Sequence, residues 1–126
     1  MKSCAFTLPD GVPSVNHMFG QAPGRKRFKT PQYINWIKAA TYTLRAAKPL
    51  KFFGTVEIEI TYPDRGRFDL TNRDKGILDL LVSEGVIVND SRKYVRRVVL
   101  SWGDIENIRV VIAESGALPT ITYSEN

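Results

Sequence analysis

The chain has 126 residues, 43% hydrophobic and 25% charged, which fits one ordinary soluble domain with a core of its own. One cysteine, Cys4, excludes an internal disulfide, and one cysteine with one histidine excludes a Cys/His zinc site. Any metal is then expected to be a hard ion with oxygen ligands, and the net charge of +5 admits a polyanionic partner.

From the N-terminus, no apolar stretch precedes a small-residue cleavage site, and no run reaches membrane-spanning length. A cytoplasmic protein with no membrane partner is expected. "SCAFTLP" alternates Cys4, Phe6 and Leu8 on one side, the period of a strand facing a core. Pro9, Gly11 and Pro13 break it, and a loop runs through "GRKRFK", Gly24 to Lys29. Thr30-Pro31 reads as a helix start, with Tyr33, Ile37, Ala40 and Leu44 inward, Ile34 at the edge and Pro49 ending the run. "TVEIEITYP" reads as a strand with Val56, Ile58, Ile60 and Tyr62 inward and Glu57 and Glu59 outward.

A second helix is expected from about Thr71 to Glu84, closed by Gly85. At about 100° per residue, Leu70, Ile77, Leu78 and Leu81 share one face, and Asn72, Lys75 and Asp79 another. "GVIV" is short and apolar, "NDSR" is a turn, and "YVRRVVLSW" and "IRVVIAE" read as two further strands, with "GDIEN" as a hairpin loop between them. The tail "LPTITYSEN" takes no assignment. The order is β-α-β-α-β-β in a single α/β (α+β) domain spanning residues 1–126.

Charge is unevenly placed. Arg25, Lys26, Arg27 and Lys29 cluster with no acid among them, Arg65 and Arg67 follow in "DRGR", and Arg92, Lys93, Arg96 and Arg97 lie in "SRKYVRR". The segment from Asp104 onward is net acidic, and the asymmetry points toward nucleic acid.

The carboxylates divide by position. Lys75 and Asp79 can be a solvated i,i+4 pair. Asp69 sits where a turn hands over to a helix and can serve as a capping acid. "TNRD" has capping-box spacing, so Thr71 and Asp74 can take that duty and release Asp69. Asp74 also lies on the apolar, sheet-facing side. Asp90 lies in a turn, where a second acid could complete an oxygen pocket with Asp69. Two acids accompanied by Arg67, Lys75 and Arg92 are what phosphodiester hydrolysis uses, the cations stabilising charge in the transition state.

The stretch "YPDRGRFDLTNRDKGILDLLVSEGVIVND" resembles the signature of the RusA family of Holliday junction resolvases. Asp69, Asn72, Lys75, Asp79 and Asp90 fall into its register without a gap. "FTLPDGVPSVNHMF" resembles the family's opening strand and loop, with Pro13, Ser14 and Asn16 matching, and the likeness runs from about Phe6 to Val111. It implies a RusA-like mixed sheet with two helices packed on it. The implied activity is a homodimeric endodeoxyribonuclease, dependent on Mg²⁺ (or Mn²⁺), that resolves four-way DNA junctions by paired nicks in recombination and repair. Family members are common in phages and prophages.

Residue by residue, the likeness makes Asp69 and Asp90 metal ligands and Lys75 the cation at the scissile phosphate. Asn72 is then a supporting polar group on the DNA, with Asn16 and Asp79 in supporting places. Arg25, Lys26, Arg27, Lys29, Arg65, Arg67, Arg92 and Lys93 are the DNA-contacting cations. Thr71 stands where the family pattern has a second metal-binding Asp. Three readings follow: its hydroxyl holds a metal-bound water, or Asp74 supplies the missing carboxylate, or the site is degenerate and the chain only binds branched DNA. A basic domain that binds RNA is a further class.

Because phosphate neutralisation by these cations would dominate affinity, log affinity for DNA should fall steeply and linearly with log salt concentration. Titrations of a labelled four-way junction across a salt series check this, and a salt-independent affinity would reject the basic loops as the binding surface.

Overall fold

The computed structural model describes residues 2–67 and 69–116, and the tail "LPTITYSEN" lies outside them. In chain order the elements are β1 (Ser3–Leu8), a 3-10 turn (Val15–His17), β2 (Phe19–Gly20), β3 (Phe28–Lys29), α1 (Pro31–Ala47), β4 (Val56–Pro63), α2 (Asp74–Ser83), β5 (Val95–Gly103) and β6 (Ile108–Glu114). The α+β class and the β-α-β-α-β-β order are as expected, with a small β2–β3 arm added inside the predicted first loop.

The main sheet has the order β1-β6-β4-β5. β6 runs antiparallel to both β1 and β4, while β5 runs parallel to β4. Parallel neighbours need a crossover, and α2 supplies it. The expected β5–β6 hairpin is therefore absent: the two strands lie on opposite sides of β4, and "GDIEN" spans the end of that central strand. Both strands alternate as hairpin strands do, and only their preference for β4 separates them.

Register puts one apolar layer across the sheet. Phe6 pairs with Val110, Val110 with Ile60 and Ile60 with Leu100; one rung on, Cys4, Ile112, Ile58 and Val98 line up in the same way. Val56, Ile58, Ile60 and Tyr62 are buried as the alternation predicts. Glu57, expected to face outward into solvent, is buried, because β4 is flanked on both sides and the Gly116 N–H donates to its carboxylate at 3.0 Å.

α1 begins as expected: Thr30 is the N-cap, its hydroxyl accepts from the Tyr33 N–H, and Pro31 occupies the first turn. Its buried stripe is Tyr33, Trp36, Ala40 and Leu44, with Ile37 half-buried and Ile34 exposed. Trp36 enters the core because its indole N–H finds the Pro9 carbonyl at 2.8 Å, so its polar atom is not stranded.

α2 starts three residues later than expected. Asn72 adopts a left-handed conformation (φ 76°) and its carbonyl accepts from the Val15 N–H at 2.7 Å, so this backbone is committed to the N-terminal loop. The Thr71–Asp74 capping box does not form; Arg73 occupies the cap position, and its side chain does not cap the helix. The helix closes near Gly85 (φ 71°), whose N–H donates to the Val82 carbonyl while the Val86 N–H reaches back to Leu81. "GVIV" forms no strand, but Val86 and Ile87 are buried and the Phe52 N–H donates to the Val86 carbonyl.

Gly76 lets α2 settle against the N-terminal loop, since a Cβ there would lie 2.8 Å from a methyl of buried Val12. Alanine is favoured over glycine in a helix by about 1 kcal/mol, but overpacking costs about 1–3 kcal/mol. Gly76→Ala should therefore lower stability, by about 1 kcal/mol in urea unfolding; a stabilised variant would show that the loop yields freely.

Candidate nuclease site

The segment between β4 and α2 and the loop after β1 face each other across a cleft of about 430 Å³. Its walls are Pro13, Ser14, Asn16, His17, Gln32, Arg67, Asp69, Thr71, Asn72 and Arg73. The Val15–Asn72 backbone bond holds the two walls together. Because α2 starts at Asp74, Thr71 is not a cap. It is exposed on the cleft wall together with Asp69. Of the sequence-predicted site residues, the structure brings Asn16, Arg67, Asp69, Thr71 and Asn72 to this one cleft.

A second group lies on the first two turns of α2 and the turn before β5. Lys75 Nζ donates to Asp79 Oδ1 at 2.8 Å and to Asp90 Oδ2 at 3.1 Å. The bonds to these two carboxylates raise the Lys75 ammonium above its ordinary value, against a smaller opposing effect of burial, so the amine stays charged. Asp74, in the first turn of α2, is half-buried on the Tyr62 side and does not line the cleft. Burial chiefly, and then the Asp74 charge, push the Tyr62 phenol up, while the Arg73 charge opposes them.

The cations are distributed differently. Arg25, Lys26, Arg27 and Lys29 are exposed on the β2–β3 arm, and Arg92 and Lys93 are exposed in the turn before β5. The Arg65 guanidinium is instead occupied: it donates to Asp10 Oδ2 at 3.1–3.2 Å and to the Glu106 carbonyl at 2.7 Å.

Sequence reasoning missed the pair that supports the cleft floor. Arg73 is 2% exposed; it donates to Asp10 Oδ1 at 2.9 Å and to the Val12 carbonyl at 3.2 Å, and its guanidinium carbon lies 4.8 Å from the Tyr62 ring centre. No local signal marks it, because "TNRD" and "PDG" read as surface and turn. His17 was also missed as a wall residue; its Nδ1 lies 2.9 Å from the Ser14 hydroxyl in a hydrogen bond, and its carbonyl accepts from Thr30.

As donors, the residues present fit a hard divalent ion: Asp69 and Thr71 put a carboxylate and a hydroxyl on one wall, and Mg²⁺ takes few protein ligands and keeps waters. Among the described residues no three His, Cys, Asp or Glu side chains converge on one point. Asp90 accepts from Lys75 through Oδ2, so a metal ion at Asp90 would share that carboxylate with the ammonium.

A mixed-sheet α+β fold whose cleft carries Asp69 together with Arg67 and Arg73 is the architecture this chain presents. No family model matches it. It is similar to the crossover junction endodeoxyribonuclease RusA of Aquifex aeolicus (strain VF5), with 31% identity over 83 residues, 64% of this chain and 65% of that protein. The matched region thus spans just under two thirds of the relative's length. The likeness supports the RusA-family resemblance carried by the central motif.

Asp10 supports the site through its partners. Burial raises its carboxyl, but the Gly11 N–H, Arg73 and Arg65 outweigh burial and bring it below its ordinary value of 3.8. A depressed carboxyl contributes stability that is present above the unfolded value and lost as pH falls through the folded one. Asp10→Ala should cost about 2 kcal/mol near neutral pH, because it removes the charged partner of a buried guanidinium. That difference should shrink well below pH 3.8, as the pH falls through the depressed folded value and the parent carboxyl protonates. Urea unfolding at both pH values measures it, and an equal loss at both would reject the charge as the source.

Proposed function

We propose that this chain is a RusA-like, divalent-metal-dependent endodeoxyribonuclease that resolves four-way DNA junctions by paired nicks. The observation that carries the proposal is the gathering of Asp69, Thr71, Asn72 and Arg67 into one cleft of a chain related to a crossover junction endodeoxyribonuclease. In this reading the chain is one domain, acts in the cytoplasm, and works as a homodimer, since paired nicks need two sites related by two-fold symmetry.

Asp69, and the Thr71 hydroxyl through a water, would hold Mg²⁺ or Mn²⁺ on the cleft wall, and Asp90, which does not line that cleft, would be the further carboxylate that the family resemblance implies. Bound there, the ion supplies an activated water and polarises the phosphate. Arg67 and Asn72 seat the scissile phosphate, with Asn16 supporting the opposite wall. Lys75, kept protonated by Asp79 and Asp90, stabilises negative charge as the phosphorus–oxygen bond breaks. The exposed cations of the β2–β3 arm and of the turn before β5 neutralise the flanking phosphates.

A second reading, a branched-DNA-binding protein with a degenerate metal site, draws on two observations: Lys75 competes for the Asp90 carboxylate, and no three acid, His or Cys side chains converge among the described residues. A synthetic four-way junction with Mg²⁺ or Mn²⁺ separates the two. Paired nicks are expected, and Asp69→Asn should reduce their rate by about 10²-fold or more while leaving junction binding intact. Tight binding without nicks in either metal would instead establish the binding-only reading. Thr71→Asp should raise metal affinity if the hydroxyl acts through water. Asp74→Asn should abolish cleavage if Asp74 is the substitute acid, and unchanged activity would remove it from the site.

A further inference from the structure

The β2–β3 arm holds an aromatic surface that the nuclease reading does not use. One of its rings is engaged: Phe19 meets Tyr33 of α1 edge-on with centroids 5.8 Å apart, and the Arg27 guanidinium covers the Phe19 ring at 3.7 Å. Phe28 is placed otherwise. It is 49% exposed, and it pairs across the arm with Gly20. A Cβ at Gly20 would lie 2.7 Å from the Phe28 ring, so the ring rests directly on the glycine backbone. Glycine is what gives the ring its seat, and the seat restricts the ring before any ligand arrives.

The arm is also fastened to the cleft. The Thr30 N–H donates to the Met18 carbonyl at 2.9 Å and the Thr30 hydroxyl to the His17 carbonyl at 2.7 Å, while Val15, in the same turn as His17, is bonded to Asn72. The turn that carries His17, a cleft residue, therefore also anchors the end of the arm. Exposed Arg25, Lys26 and Lys29 flank Phe28 in sequence and put positive charge on the same arm as the ring. A seated, half-exposed aromatic flanked by cations is the recognition chemistry of an unpaired nucleobase, whose π-face stacks while its phosphates are neutralised.

We propose that Phe28 is a stacking platform for an unpaired base, which at a branched substrate is a base freed at the branch point. The inference rests on the nucleic-acid reading above and gives the arm a role in selecting branched over linear DNA. A duplex with all bases stacked offers the ring nothing, so the arm's cations bind both forms and Phe28 adds affinity for one.

The test uses 2-aminopurine, whose fluorescence is quenched by stacking, placed in a single-stranded oligonucleotide and at the centre of a four-way junction. Wild-type protein and Phe28→Trp should alter its fluorescence at saturation. Phe28→Ala should lose that signal and bind both probes about tenfold more weakly, with linear duplex affinity unchanged. Lys26→Ala should weaken binding to all three DNAs and keep the saturated signal. A wild-type signal and affinity in Phe28→Ala would overturn the inference even if junction cleavage is observed. A Phe28-dependent signal on single strands, with no junction cleavage in Mg²⁺ or Mn²⁺, would sustain the inference and remove the nuclease activity.

Discussion

An arginine with 2% of its surface exposed must find hydrogen-bond acceptors inside the protein or destabilise the fold, and Arg73 finds them on the loop after β1. Its bonds to Asp10 and to the Val12 carbonyl join two segments more than sixty residues apart in sequence. Arg65 reaches the same carboxylate from outside and also holds the Glu106 carbonyl, so Asp10 and its two arginines together tie the β1 loop, the β4–α2 segment and the β5–β6 connection. The cleft lies between the first two of these segments. Its shape is therefore a consequence of one partly buried ion-pair cluster.

The same pairing governs where α2 begins. With Arg73 drawn inward and the Asn72 carbonyl bonded to Val15, the backbone cannot enter the helix before Asp74. Asn tolerates the left-handed conformation this requires, as few other residues do. The three residues left out of the helix, Thr71, Asn72 and Arg73, all become cleft wall. Shortening α2 at its N-terminus is thus what exposes Thr71 beside Asp69 and leaves Asp74 on the Tyr62 side.

Charge works at two depths. The Lys75 ammonium sits half-exposed between Asp79 and Asp90, where solvent screening keeps its value to stability small. Its consequence is positional, because two carboxylates from different elements hold one amine at a defined place. The arm's cations are exposed and suited to long-range attraction of phosphate. Arg65 belongs to neither group: it reads as a surface cation in "DRGR" yet acts as a brace.

Much of the fold was legible in the chain alone. Alternation in "VEIEITY" marks the core face of β4, Thr30-Pro31 marks the start of α1, and Gly85 marks the end of α2, because each is a local preference that packing does not override. The acids, asparagine and lysine of the central motif could be named as a set from spacing and resemblance, without knowing which would share a wall.

What tertiary structure alone decided depends on contacts between distant residues. The choice of β4 rather than β5 as partner for β6, and the burial of Glu57 on the central strand, follow from sheet order, which alternation does not encode. The separation of Asp69 and Thr71 from the Lys75–Asp79–Asp90 group follows from the Val15–Asn72 bond and the Arg73–Asp10 pair. Sequence determined which chemical groups this protein has and their local conformational preferences. The fold determined which of them meet, because an ion pair across sixty residues leaves no trace in the neighbours of either partner.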